Sequence, residues 1–166
     1  VNSVSSNIVY YVTLNMSKKP FNDVKVRQVM NYAIDKDAFI KAVYGGYGDH
    51  SLSPMASTTQ YYSKQDEYAF NIQKAKELLS EAGYPNGFKT TIWSDNTSDS
   101  VKGMQFINQQ LAQVGITAEV VPMEGATLGA KINEAKTAAD SQIDMWYVNW
   151  SPSTGDADGS LRALFY

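Results

Sequence analysis

The second half of the chain alternates strand-like and helix-like segments, and this alternation limits the fold more than any other feature. Residues 88–93, 117–123 and 143–150 are rich in β-branched and aromatic side chains and predict buried strands. Apolar residues at helical spacing lie between them, at 104–114 and 128–139. Strands and helices in this order form a largely parallel sheet with right-handed crossovers. The predicted fold class is therefore α/β, with helices flanking the sheet.

The first half of the chain adds another strand and further helices. Residues 8–14 are β-branched and aromatic and predict a buried strand. The predicted helix N-caps are Asn22 or Asp23, then Asp35, then Asn71. Residues 47–70 have no clear period, and a loop of this length in a compact domain is often functional.

Composition excludes several classes of function. The chain has 166 residues and a net charge of −3, with no basic cluster, so we expect no nucleic-acid partner. It has no cysteine, which excludes thiol catalysis, cysteine-ligated zinc and disulfides. The longest apolar stretch, residues 8–12, is far too short to span a membrane.

Polar loops follow the three predicted parallel strands, at 94–98, 124–127 and 151–158. In open α/β sheets, ligands bind in the crevice beyond the carboxyl ends of the strands. The small hydroxyl groups, carboxamides and glycines of these loops suit hydrogen bonding to a small polar molecule. Ordinary turns have the same composition, so both interpretations stay open. Trp150, at the end of the last strand, is compatible with either a pocket or the core.

Two positions offer an alternative in catalysis. His50 is the single histidine, and it lies in a predicted loop with no Gly-x-Ser-x-Gly motif. We therefore expect it to be a solvent-exposed loop residue. Asp156 and Asp158 belong to the run Asp-Ala-Asp-Gly, which resembles the start of a calcium-binding loop, but no glutamate follows to complete the loop. We expect Asp158 to cap a terminal helix that begins near Gly159, and Asp156 to support the turn. The alternative function is a small α/β hydrolase-like or metal-dependent enzyme that uses Asp156 or His50.

Long stretches of the sequence resemble the peptide-binding family of ABC-importer solute-binding proteins, which includes dipeptide, oligopeptide, nickel and glutathione receptors. The resemblance begins with Lys-Pro-Phe-Asn-Asp-Val-Lys-Val-Arg-Gln at 19–28 and Asn-Tyr-Ala-Ile-Asp-Lys at 31–36. It continues through residues 75–88, 109–116 and 164–166. The segment Trp-Ser-Pro-Ser-Thr-Gly-Asp-Ala-Asp at 150–158 is most similar to the glutathione-binding branch.

This resemblance implies one lobe of a two-lobed periplasmic-binding-protein fold whose lobes close over a solute. Residues 1–166 would be a single C-terminal lobe, and the N-terminal lobe of the same protein would complete the cleft. The amphipathic run 161–166 stops without a cap, so we expect a piece of a longer protein. The resemblance further implies an extracytoplasmic location, in the periplasm or as a cell-surface lipoprotein, and a membrane permease as partner. It implies no catalytic residue, cofactor or metal.

The resemblance also implies where a peptide would bind. In dipeptide and oligopeptide relatives, the segment after the matching tryptophan pairs with the ligand backbone like an added strand, and the matching positions are Asn149 and Ser151. Those relatives hold the peptide's α-amino group with an aspartate, where this chain has Ser153. A buried ammonium needs a charge partner, which would then be another carboxylate such as Asp156. A γ-glutamyl peptide instead carries its α-amino and α-carboxylate groups at one end, and Ser151, Ser153 and Thr154 form a hydroxyl-rich cradle for them.

The predicted ligand-binding residues are Asn149, Trp150, Ser151, Ser153, Thr154, Asp156, Tyr11 and Asn15. The last two are placed near the junction of the lobes. The predicted ligand is glutathione or another short or γ-glutamyl peptide, while an ordinary dipeptide, an oligopeptide, or a nickel or haem complex stays open.

Overall fold

The computed structural model describes residues 6–165. Within them the elements are β1 (Val9–Leu14), α1 (Val24–Tyr32), α2 (Lys36–Tyr44), α3 (Ile72–Glu81), β2 (Lys89–Asp95), α4 (Ser98–Ala112), β3 (Thr117–Met123), α5 (Gly125–Glu134), β4 (Met145–Trp150) and α6 (Asp158–Phe165). None of the helices in this part of the chain is long and apolar enough to cross a membrane.

The chain divides into two compact units. The larger unit comprises Val12–Gly48 and Tyr68–Tyr147. The smaller unit comprises Val1–Tyr11, Asp49–Glu67 and Val148–Tyr166, of which the described residues are 6–11, 49–67 and 148–165. Each of β1 and β4 contributes residues to both units.

The four described strands form one sheet in the order β1-β4-β2-β3. β2 pairs in parallel with β3, beginning with Lys89 opposite Thr117. It also pairs in parallel with β4, where Ile92 lies opposite Met145. The predicted α/β class and the mostly parallel sheet are therefore confirmed.

β1 differs from its prediction as a buried strand. It occupies an edge of the sheet, and Val9 is its one buried residue. Asn15 N donates to Asp144 O (2.9 Å) and Thr13 Oγ1 to Trp146 O (3.4 Å), so β1 runs antiparallel to β4. An apolar strand at a sheet edge is covered less completely than a central one, which is why β-branched composition overstated its burial.

The first three helices begin where the sequence predicts. Asp23, Asp35 and Asn71 have extended backbones, as N-caps do. Their side-chain oxygens accept hydrogen bonds of 2.8–3.0 Å from the backbone N–H groups of Lys25, Ala38 and Lys74, respectively. Gly45 ends α2 with a left-handed backbone (φ 64°), a conformation that glycine adopts without steric cost.

The main hydrophobic core lies in the larger unit, where α4 packs on β2 and β3 and α1 packs on α3. Its most completely buried side chains are Phe21, Val26, Val29, Leu79, Ile92, Met104, Leu111, Ile116 and Met145. Burying each such side chain contributes roughly 1.5–3 kcal/mol relative to leaving it exposed. This core therefore holds the central strands and their flanking helices together.

The prediction that α5 extends to Ala139 is wrong. The helix ends at Glu134, and Ala135 has an extended backbone (ψ 131°). Beyond it, Thr137 Oγ1 donates to Asp140 Oδ2 (2.8 Å), and Asp140 N donates back to Thr137 Oγ1 (3.3 Å). Short polar side chains that bond locally compete with the helix, and alanine buries too little apolar area to oppose them.

Gly103 of α4 gives a test of this packing. A Cβ at Gly103 would lie 2.8 Å from Cε1 of Tyr147, which is 3 % exposed. We expect Gly103→Ala to lower the free energy of unfolding by about 1–3 kcal/mol because of this clash, despite the higher helix propensity of alanine. Urea denaturation measures the change.

Gly129 of α5 is the matched control, since a Cβ there would meet nothing within 4 Å. We expect Gly129→Ala to raise the free energy of unfolding by up to about 1 kcal/mol, through helix propensity alone. If the two substitutions stabilise the protein equally, Gly103 does not serve to admit the tyrosine ring.

Candidate functional site

Most of the predicted ligand-binding residues lie in one stretch of the smaller unit, residues 149–156, called here the candidate segment. It contains the last two residues of β4 and the turn that leads to α6. The exposed members of this set are Asn149, Ser151, Ser153, Thr154 and Asp156. Trp150 is half-buried and Pro152 is buried, so the segment is anchored on one side and accessible on the other.

Asn7 holds the start of this turn. Its Nδ2 donates to the carbonyl of Pro152 (3.1 Å), and its Oδ1 accepts the hydroxyl proton of Ser151 (3.0 Å). One carboxamide therefore binds both a backbone and a side-chain group of the candidate segment. Because the hydroxyl of Ser151 donates its hydrogen bond to Asn7, Ser151 Oγ can act only as an acceptor toward a further group. Sequence reasoning missed Asn7, because it lies 144 positions before Ser151 in the chain.

A second anchor comes from residues 49–67, called here the strap. Gln60 N donates to the carbonyl of Gly155 (3.1 Å), a bond between two main chains. At the ends of the strap, His50 Nδ1 lies 2.6 Å from Glu67 Oε1. The predicted exposed loop histidine is thus half-buried and paired with a carboxylate that closes the strap. The strap is part of the long loop that the sequence predicted.

The two aspartates after the candidate turn have separate structural roles. α6 begins at Asp158, next to the predicted start near Gly159, but it is Asp156 Oδ1 that accepts the hydrogen bond of Gly159 N (3.0 Å). The expectation that Asp158 is the cap is therefore wrong. Asp158 instead receives two guanidinium nitrogens of Arg162 at 2.9–3.1 Å, and these hydrogen bonds hold the pKa of its carboxyl below the usual value. Within residues 6–165, no group of three or more histidine, aspartate or glutamate side chains could hold a metal ion.

Two of the predicted site residues lie outside the candidate segment. Tyr11 is half-buried, and this burial raises the pKa of its phenol. Asn15 belongs to the larger unit, where its Nδ2 donates to the carbonyls of Ala138 (2.7 Å) and Ile143 (3.1 Å). Its carboxamide therefore ties the end of β1 to residues that precede β4.

The loops after β2 and β3 act as helix caps in the larger unit. Asp95 accepts hydrogen bonds from the backbone and hydroxyl of Thr97 (3.0 and 2.6 Å). Burial opposes ionisation of Asp95, but the hydrogen bonds outweigh it and lower its pKa overall. The backbone N–H groups of Ala126 and Thr127 likewise lower the pKa of Glu124. The turn interpretation of these two loops is sufficient to explain their polar residues.

Buried polar atoms without a partner occur beside the candidate segment. Trp150 Nε1 and Ser160 Oγ are both buried, and neither has a hydrogen-bond partner among the described residues. Ser160 is 1 % exposed. A buried donor or acceptor without a partner costs about 1–3 kcal/mol, so these atoms lower the stability of the smaller unit.

Two buried serines give a matched test of this cost. We expect Ser160→Ala to leave the free energy of unfolding unchanged or to raise it by about 1 kcal/mol, because the hydroxyl has no partner to lose. Ser94 is 2 % exposed, but its Oγ donates to Tyr147 O at 2.7 Å. Ser94→Ala should lower the free energy of unfolding by about 1–2 kcal/mol, since it removes a buried hydrogen bond. Thermal denaturation compares the two, and equal losses would contradict the assignment.

Comparison with known proteins shows relatives of both sequence and structure. The glutathione-binding protein GsiB of Pectobacterium atrosepticum is 44% identical over 156 residues, which are 93% of this chain and 30% of the relative. GsiB of Escherichia coli K12 is 42% identical over the same length and coverage. The periplasmic binding protein DppA of Helicobacter pylori, solved with the peptide STSA, superposes with a TM-score of 0.85 at 35% identity, over 96% of this chain and 30% of that one.

The chain thus spans about 30% of the length of the curated relatives it matches. Its resemblance to the peptide-type solute-binding proteins, and to the glutathione-binding branch among them, is confirmed. All 166 residues match the family described as bacterial extracellular solute-binding proteins, family 5 Middle. The chain belongs to this family.

Proposed function

We propose that this family 5 solute-binding chain is the ligand-binding lobe of an extracytoplasmic receptor, which captures a short peptide and delivers it to the permease of an ABC importer. The observation that carries the proposal is the candidate segment, whose exposed hydroxyl groups follow a β-strand and are anchored by Asn7 and the strap. The N-terminal lobe of the same protein would complete the cleft. The proposed location is the periplasm, or the cell surface with a lipid anchor.

The ligand proposed is glutathione or another short γ-glutamyl peptide. Relatives that are 42–44% identical carry the name glutathione-binding protein. At the γ-glutamyl end, an ammonium and a carboxylate lie on one carbon and need acceptors and donors side by side. Ser151 Oγ donates its hydrogen bond to Asn7, so it would accept a hydrogen bond from the ammonium. The hydroxyl groups of Ser153 and Thr154 would donate to the carboxylate.

The remaining proposed contacts surround this cradle. Asp156 uses Oδ1 to cap α6, and its other carboxylate oxygen is the proposed partner of the ligand's ammonium. The main chain at Asn149 would pair with the peptide backbone as an added strand does. Trp150 and Tyr11 would contribute half-buried ring surface. Asn15 is left out of the proposal because its carboxamide is bound to two backbone carbonyls.

We propose binding without turnover. Asp156 accepts the N–H that begins α6, and His50 pairs with Glu67 at the ends of the strap. Both side chains therefore have structural roles, Asp156 at the start of α6 and His50 at the ends of the strap.

Calorimetry on the protein at its full natural length tests the ligand. We expect glutathione to bind saturably at one site per molecule, to raise the melting temperature, and to be recovered unchanged. An ordinary dipeptide and a nickel complex serve as comparison ligands. If the dipeptide releases heat and raises the melting temperature while glutathione does neither, the γ-glutamyl assignment is wrong.

Ser153→Asp tests why this chain would prefer a γ-glutamyl end. The substitution restores the carboxylate that dipeptide and oligopeptide relatives use for an α-amino group. We expect it to tighten binding of an ordinary dipeptide about tenfold, or about 1.4 kcal/mol. It should weaken binding of glutathione, because two carboxylates repel each other.

Ser153→Asn is the control for this substitution, since asparagine has the shape of aspartate without its charge. It should leave the preference between glutathione and the dipeptide within about twofold, which is roughly 0.4 kcal/mol. A preference that shifts as far with asparagine as with aspartate would mean that charge at this position is not the determinant.

A further inference from the structure

Tyr61, in the strap, combines two properties that are each unfavourable for a surface tyrosine. Its backbone lies in the left-handed region (φ 64°), and among the described residues no other non-glycine residue has a positive φ. Tyr61 is 84% exposed, so burial of its ring contributes little to the stability of the fold. Glycine or asparagine would adopt this backbone with less strain. Neither local propensity nor burial explains why a tyrosine occupies the position.

The surrounding turn forces this backbone conformation. Thr59 N donates to Ala56 O (3.0 Å), and Tyr62 N donates to Thr59 O (3.1 Å). Thr59 and Ala56 are 6% and 9% exposed, so they anchor the turn in the smaller unit. Between these bonds, Gln60 N donates to Gly155 O of the candidate segment's turn. Strained residues persist where their surroundings determine the conformation in this way, and they cluster at functional sites.

We propose that Tyr61 is a ring contact for the bound solute and helps to determine its specificity. It follows directly on Gln60, one Cα–Cα step of about 3.8 Å from the residue bonded to Gly155. The turn thus places Tyr61, whose ring is exposed, next along the chain to the residue whose backbone is bonded to the candidate segment. Aromatic rings supply large contact area at low entropic cost, and they pack well on the amide planes and short aliphatic stems of a small peptide. This inference rests on the proposed function.

The test separates a ligand contact from a structural role. Tyr61→Asn removes the ring and keeps a residue that tolerates the left-handed backbone. In the full-length protein we expect the melting temperature to stay the same or rise, while the dissociation constant for glutathione rises at least tenfold by calorimetry. Tyr61→Phe keeps the ring and should bind within twofold of the wild type.

Tyr47 provides the control. It is also an exposed tyrosine (65%), but it lies in the larger unit and does not have a positive φ. Tyr47→Asn should leave the affinity for glutathione unchanged.

Each outcome is decisive. Wild-type affinity in Tyr61→Asn would overturn the inference and leave the proposed function standing. A loss of affinity together with a lowered melting temperature would also overturn it, since the ring would then serve the fold. If the wild-type protein binds neither glutathione nor the peptide Ser-Thr-Ser-Ala, the proposed function fails, and this inference fails with it.

Discussion

The parallel pairing of β2 on both of its edges is the constraint on which the larger unit depends. A parallel sheet is stable only when both of its faces are covered by apolar packing. Ile92 and Trp93 are neighbours in β2, so their side chains point to opposite faces. Ile92 lies in the main core with Met104 of α4, and Trp93 lies in a second cluster with Leu128 of α5. α4 on one face and α5 on the other therefore cover the apolar side chains of β2, the strand that pairs with both β3 and β4.

The sequence predicted the parts of this arrangement that depend on local chemistry. A helix cap is a bond between residues two or three apart, and Asp23, Asp35 and Asn71 act as predicted. The order of strands and helices is local in the same sense, because each element carries its own period. The end of α5 was missed because the alanines at 135, 138 and 139 favour a helix but bury too little apolar area to hold one, and a Thr137–Asp140 turn determined the outcome.

The candidate site was less predictable, because distant residues form it. Resemblance to a family pointed to the residues after β4, whereas composition alone left turns and binding loops equally open. Nothing near residue 7 in the sequence indicates that Asn7 holds Ser151 and Pro152. The exchange of roles between Asp156 and Asp158 depends on where α6 starts, and a helix boundary is uncertain by one or two residues, as far as the two aspartates are apart.

The bond from Gln60 to Gly155 has a consequence for how the proposed receptor could diversify. Both atoms belong to the main chain, so the connection does not depend on which side chains the strap or the candidate segment carries. Residues on either side of it can be exchanged while the two backbones keep their positions. A scaffold joined in this way can acquire a new ligand preference through single substitutions, without first passing through variants that have lost the shape of the site.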